Sequence, residues 1–136
     1  MPQPVDPRVL GATVVGGAVG VLARGLILAP VDAGAVPWLT LAINGVGSLL
    51  LGVVVGWLDD RHPLARAFLG TGVMGGFTTY SAFAVATALW VSTPALAIGL
   101  AAASLVAGVV GAVVGLFVGR RIADVPGEIE PIEDAE

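Results

Sequence analysis

Three features of this chain place polar chemistry inside sequence otherwise suited to lipid: Arg24, Asn44, and the segment Gly75-Gly76-Phe77-Thr78-Thr79-Tyr80-Ser81-Ala82-Phe83. Arg24 sets a fixed positive charge four residues from the end of an apolar stretch, where the cost at the bilayer centre would be about 2.5–3.5 kcal/mol. Two readings stay open for it: the side chain snorkels to the outer interface, or it forms a vestibule that attracts anions. Asn44 is the only amide in any apolar stretch and stands beside Gly45, Gly47 and Ser48. An amide in lipid must face protein or water. It either makes an interhelical hydrogen bond, worth about 0.6 kcal/mol on average, or uses its NH2 group, which donates twice, to hold an anion.

The third feature invites a helix break, because two glycines followed by two threonines free backbone groups from the i to i−4 ladder. At mid-membrane depth such a break persists only where protein, ion or water satisfies the freed groups. Exposed carbonyls are hard oxygen ligands suited to a cation, whereas the start of a following helix suits an anion. Tyr80 and Phe83, three apart, fall on one face of a resumed helix. Ring edges are electropositive, so two aromatic rings presented edge-on can contact a small anion without holding it by full charge. Ordinary aromatic packing is the alternative for the pair.

The elements that position these groups follow from composition. Of 136 residues, 57% are hydrophobic and 12% charged, and the mean hydropathy is +0.97, well beyond ordinary soluble domains. No Asp, Glu, Lys, Arg or His falls between Ala67 and Gly119. Since about 20 residues cross the hydrocarbon core, two helices must share that run. With two upstream stretches the expectation is an all-α membrane protein of four transmembrane helices, at about 9–28, 37–58, 67–91 and 94–119, the third broken mid-membrane. Continuous rather than alternating apolar runs favour helices over barrel strands. Residues 1–123 form the spanning domain, with short loops and no room for a soluble one. The first stretch is expected to stay in the mature chain, being longer than a signal core and carrying Arg24.

Asp6-Pro7 reads as an N-cap with proline in the first turn, and the first helix ends before Pro30. Trp38 and Trp57 mark interfacial depth at the two ends of the second span, and Thr93 is a candidate cap for the last. Arg8, Arg61, Arg66, Arg120 and Arg121 all fall on one side, whereas the loops 29–36 and 91–94 hold neither Arg nor Lys. That bias puts both termini in the cytoplasm. The net charge of −4 arises in residues 124–136, an acidic, Pro-containing tail read as disordered and solvated; the remaining chain has six arginines against four aspartates.

Several chemistries are excluded. With no cysteine and one histidine, disulfides, thiol catalysis and a zinc site drop out. Gly70-Thr71-Gly72-Val73-Met74-Gly75 mimics a dinucleotide-binding fingerprint but has no preceding strand and no acidic residue about 20 positions on. Gly16/Gly20, Gly52/Gly56 and Gly111/Gly115/Gly119 are small-residue ridges that signal close helix packing. No enzymatic reaction and no nucleic-acid partner are indicated.

On four elements the chain resembles the CrcB/Fluc fluoride-channel family: Gly16-Gly-Ala-Val-Gly20 leading to Arg24; Asn44 with Gly45, Gly47 and Ser48; Gly75 to Phe83; and a Gly-rich last helix ending in arginines. The resemblance covers all but the acidic tail. It implies an antiparallel dimer in a prokaryotic plasma membrane, with two pores passing fluoride out of the cell. It also implies a structural, untransported sodium ion held by the backbone carbonyls of Gly75 and Thr78. The pore is expected to be lined by Asn44, Tyr80, Ser81, Phe83 and Ser104, with Arg24 at the vestibule. Two positions depart from the family pattern, which usually has Phe at Tyr80 and Thr or Ser at Ala82: a hydroxyl is added to the pore wall at one and lost at the other.

A homodimer inserted in both directions needs balanced loop charge, so the arginine bias favours pairing with an oppositely oriented paralogue over self-pairing. Two other readings compete. A small multidrug transporter also has four short spans, but it needs a membrane-embedded carboxylate and no span here holds one. A non-conducting assembly factor would use the glycine ridges alone.

Overall fold

The computed structural model describes residues 6–58, 62–80, 84, 88 and 92–123. The acidic tail, the loop around Asp59, Asp60 and Arg61, and Ser81, Ala82 and Phe83 lie outside the described residues. Helix α1 runs Pro7–Leu28 and opens as its sequence dictates: Asp6 is extended, and its carboxylate accepts from the Arg8 amide at 2.8 Å. Helix α2 runs Val36–Leu58. A short α3, Pro63–Arg66, continues without interruption into a π-helical segment, π1, Ala67–Met74, and then α4, Gly75–Phe77. The last helix, α5, is Pro94–Ala123. An apolar run gives no sign of π geometry in advance, and the eight residues of π1 are long for a form met mostly as single-turn bulges.

Helices α1, α2 and α5 are apolar and long enough to cross a membrane. At 22, 23 and 30 residues they measure roughly 33, 35 and 45 Å, against a hydrocarbon core of about 30 Å. Their outer faces are bare: Leu22, Leu26, Ile98, Leu105, Val113 and others are each more than 60% exposed. Among the described residues the buried apolar set holds only Ile43, Leu58, Ala67, Ala97 and Leu100. A soluble domain could not leave so much apolar surface uncovered, whereas lipid and partner helices cover it without penalty.

The helices are joined instead by backbone-to-backbone seams where glycine removes the side chain. Helix α1 packs on π1 and α4, and α2 packs on α5; among the described residues α1 and α5 do not touch. A Cβ on Gly16 would overlap the Phe68 carbonyl, and one on Gly20 the Val73 carbonyl. On the other side of that seam, a Cβ on Gly72 would press against the Gly16 Cα, and one on Gly76 would overlap the Gly17 carbonyl. In the second pair Gly52 meets the Ala112 carbonyl, Gly115 the Leu49 carbonyl, and Gly119 the Val53 carbonyl. With apolar lipid outside, close van der Waals approach is what holds such helices together. The two pairs meet along a narrower line, where Gly70 faces Leu51 and Val54, and Gly47 faces Thr78 and Phe77.

Gly115→Val is therefore expected to lower stability by about 1–3 kcal/mol or more through overpacking, read as a fall in thermal midpoint in detergent. Gly25→Ala, where nothing stands within 4 Å of the new methyl, should hold or raise that midpoint, since alanine favours helix by about 1 kcal/mol.

Candidate functional site

Helix α4 stops at Phe77 because Thr78 turns to extended backbone, φ −77° and ψ 155°. The Thr78 amide and hydroxyl both return to the Met74 carbonyl, at 3.0 and 2.9 Å, and close the helix end. Beyond this turn the Thr78 and Thr79 carbonyls each take a side-chain donor from another helix. Arg24 and Asn44, from different helix pairs, supply them.

Arg24 reaches the break through the glycine seam. Gly16, Gly20 and Arg24 follow one another at i+4 on one face of α1, and because a Cβ on Gly20 would run into the backbone at Val73 and Phe77, the glycine lets the next turn deliver the guanidinium to Thr78. Its Nη1 donates to the Thr78 carbonyl at 3.1 Å. Asp6 and Asp32, the only carboxylates among the described residues, are both exposed.

Asn44 binds its target twice. Its Nδ2 donates to the Thr79 carbonyl at 3.1 Å, and its Oδ1 accepts from the Thr79 amide at 2.8 Å. The side chain thus imitates a rung of a β-ladder. An uninterrupted helix would send the Thr79 amide to the Gly75 carbonyl, so the same bond takes that partner from Gly75. Asn44 keeps a second Nδ2 proton for another acceptor. Gly47, one turn on along α2, has the Thr78 methyl where its own Cβ would stand.

Beside this clamp lies a groove of about 320 Å³, lined by Asn44, Ser48, Thr78, Thr79, Tyr80 and Ser104 with the apolar Leu51, Ala101 and Leu105 and with Gly108. No carboxylate is among these lining residues. The Ser104 hydroxyl is buried with no hydrogen-bond partner, and so is the hydroxyl of Thr40, which is 2% exposed. A buried unpaired hydroxyl is costly, so each is available to a ligand that can pair with it. Tyr80 stands 81% exposed at the groove.

The structure thus brings Asn44, Tyr80 and Ser104 to one groove and joins Arg24 to its edge through Thr78. Gly75 lies apart, exposed, with open space where a Cβ would be. Ser81 and Phe83 are outside the described residues. Sequence reasoning left Thr79 and Ser48 out of the site, and it did not single out the buried Thr40. Thr40 and Ser48 stand four residues on either side of Asn44, a spacing that puts all three on one face of α2 and was available as a signal.

Apolar spanning helices and a polar groove with its own backbone clamp define an α-helical, multi-pass membrane protein. The family model for "CrcB-like protein, Camphor Resistance (CrcB)" matches residues 11–119. The chain belongs to that family. It is 41% identical over 121 residues to fluoride-specific ion channel FluC 2 of Bacillus subtilis, covering 87% of this chain and 92% of that one. It is 50% identical over 91 residues to fluoride-specific ion channel FluC of Novosphingobium aromaticivorans, covering 64% and 72%. Against fluoride-specific ion channel FluC of Rhodospirillum centenum the figures are 40% over 120 residues, covering 82% and 92%.

If Asn44 holds the break as described, Asn44→Ala should raise hydrogen exchange at the Thr79 amide by roughly tenfold or more, the equivalent of about 1.4 kcal/mol, while amides in the α2–α5 seam keep their protection.

Proposed function

We propose that this chain is a subunit of a fluoride-selective channel, through which the anion leaves the cytoplasm passively and its toxicity is limited. The observation that carries this reading is the groove. Its polar lining consists of hydroxyls and an amide, no carboxylate is among the lining residues, and Ser104 presents a buried hydroxyl without a partner. A small anion stripped of water needs several short hydrogen-bond donors and a wall without opposing negative charge, and the second Asn44 proton and the Ser48 and Ser104 hydroxyls are such donors. The names of the relatives point to the same ion. Tyr80, and Ser81 and Phe83 beyond it, are the proposed continuation of the wall, with the ring edges supplying weak positive contact.

The finer architecture follows from the same reading. The segment from Pro63 onward is the third of four spans, and the extended Thr78 is its mid-membrane break. The functional unit is an antiparallel dimer in a prokaryotic plasma membrane, which covers the bare outer faces together with lipid. The five arginines gathered on one side keep both termini cytoplasmic, and for that reason the favoured partner is an oppositely oriented paralogue rather than a second copy.

The backbone carbonyls of Gly75 and Thr78 would hold the structural sodium ion. The donor set suits a hard monovalent cation: Gly75 has lost its helical partner to Asn44, and the Thr78 oxygen has a second lone pair beyond the one Arg24 uses. When bound, the ion supplies fixed positive charge and is not transported. The multidrug-transporter reading loses ground further, since none of the groove residues is a carboxylate.

Purified chain in liposomes is expected to release fluoride, followed with an ion-selective electrode, either alone or once the oppositely oriented paralogue is added. Ser104→Ala should slow that release by roughly tenfold, the loss of about 1.4 kcal/mol expected for a hydrogen bond to a charged group. Release by neither preparation contradicts the channel reading and favours an assembly factor. Release by the chain alone contradicts obligate pairing with a paralogue.

A further inference from the structure

We infer that Arg24 is a positioning residue for the broken helix, and that it acts by donating a hydrogen bond to the Thr78 carbonyl rather than by its charge. The inference rests on the channel reading for its meaning in permeation, but its geometry stands independently. Nη1 lies 3.1 Å from the Thr78 oxygen, in a part-buried contact between residues 54 apart in sequence. Thr78 is the first residue to leave helical geometry, and its own amide and hydroxyl are both committed backward to Met74. The clamp therefore has two arms. Asn44 fixes Thr79 from α2, and Arg24 fixes Thr78 from α1.

Each arm belongs to a different helix pair, so the break is also where the two pairs are tied together. The α1 arm comes into reach only because Gly16 and Gly20 let the backbone of π1 and α4 close on that helix. An arginine whose task was to draw anions toward an entrance would be better placed with its guanidinium open to water; here one of its five donors is spent on a main-chain oxygen at the edge of the groove. If Thr78 rotates, Tyr80, two residues on, moves with it, and Tyr80 lines the groove. Holding the Thr78 carbonyl is thus a means of setting the groove wall.

The test separates donor from charge with two neutral, unbranched substitutions of similar size. Arg24→Gln keeps an N–H donor, and Arg24→Met keeps only bulk. Two readouts are taken in membranes: hydrogen exchange at the Thr79 amide, and fluoride efflux. The expected result is that Arg24→Gln retains at least fivefold more protection and fivefold faster efflux than Arg24→Met. Equal behaviour of the two variants in exchange, at whatever level, overturns the inference and returns Arg24 to a role of charge or bulk. The exchange readout needs no permeating ion, so the clamp is judged even where the parent carries no fluoride. Efflux by the parent with equal exchange in both variants would leave the channel standing and remove the clamp.

Discussion

The structure turns on the satisfaction of two backbone carbonyls. Where the helix ends at Phe77, Thr78 and Thr79 leave the ladder that makes helices acceptable in lipid. The chain brings its own donors to both. Arg24 and Asn44 do this from opposite sides. One is a guanidinium and the other an amide, and both are committed to one dipeptide.

That constraint accounts for the glycines. A guanidinium from α1 and an amide from α2 can meet one short segment only if both helices lie close to it, and close approach requires that backbone replace side chain at the contacts. Gly16, Gly20, Gly72 and Gly76 provide it on one side, and Gly47 on the other. The α2–α5 pair uses the same device at Gly52, Gly115 and Gly119 and thereby sets Ser104 near Asn44. The price is a chain with few buried apolar side chains among the described residues, whose outer faces are left to lipid for cover.

Much of this was legible in the sequence, for a physical reason: in an apolar chain a polar residue stands out, and so does the demand it makes for a partner. The apolar stretches that became α1, α2 and α5, the Asp6-Pro7 start and the significance of Arg24 and Asn44 could all be read there. The partners could not. The interhelical bond considered for Asn44 joins it to main chain rather than to another side chain, and that choice depends on where α4 ends in space. For Arg24 neither reading, the interface or the vestibule, anticipated a main-chain acceptor 54 residues away. The π geometry of Ala67–Met74 is invisible to hydropathy, because it changes the number of residues per turn without changing which of them are apolar. Ser48, though it stands in the Asn44 motif, and Thr40 carry no such mark, because a lone hydroxyl in an apolar helix can bond back to its own backbone and makes no demand for an outside partner.

The most direct measurement of the central claim, that the groove beside the clamp is the ion's path, uses the absence of native cysteine. Ser104→Cys places a single thiol in the groove. Val109→Cys places one on the exposed face of the same helix, where Val109 is 56% accessible. Each variant is reconstituted in the conducting assembly, treated with the small neutral reagent methyl methanethiosulfonate, and assayed for fluoride efflux, with modification confirmed by mass. Modification at position 104 should stop efflux, while modification at position 109 leaves it unchanged. Undiminished efflux through fully modified Ser104→Cys would contradict the account and place the path elsewhere.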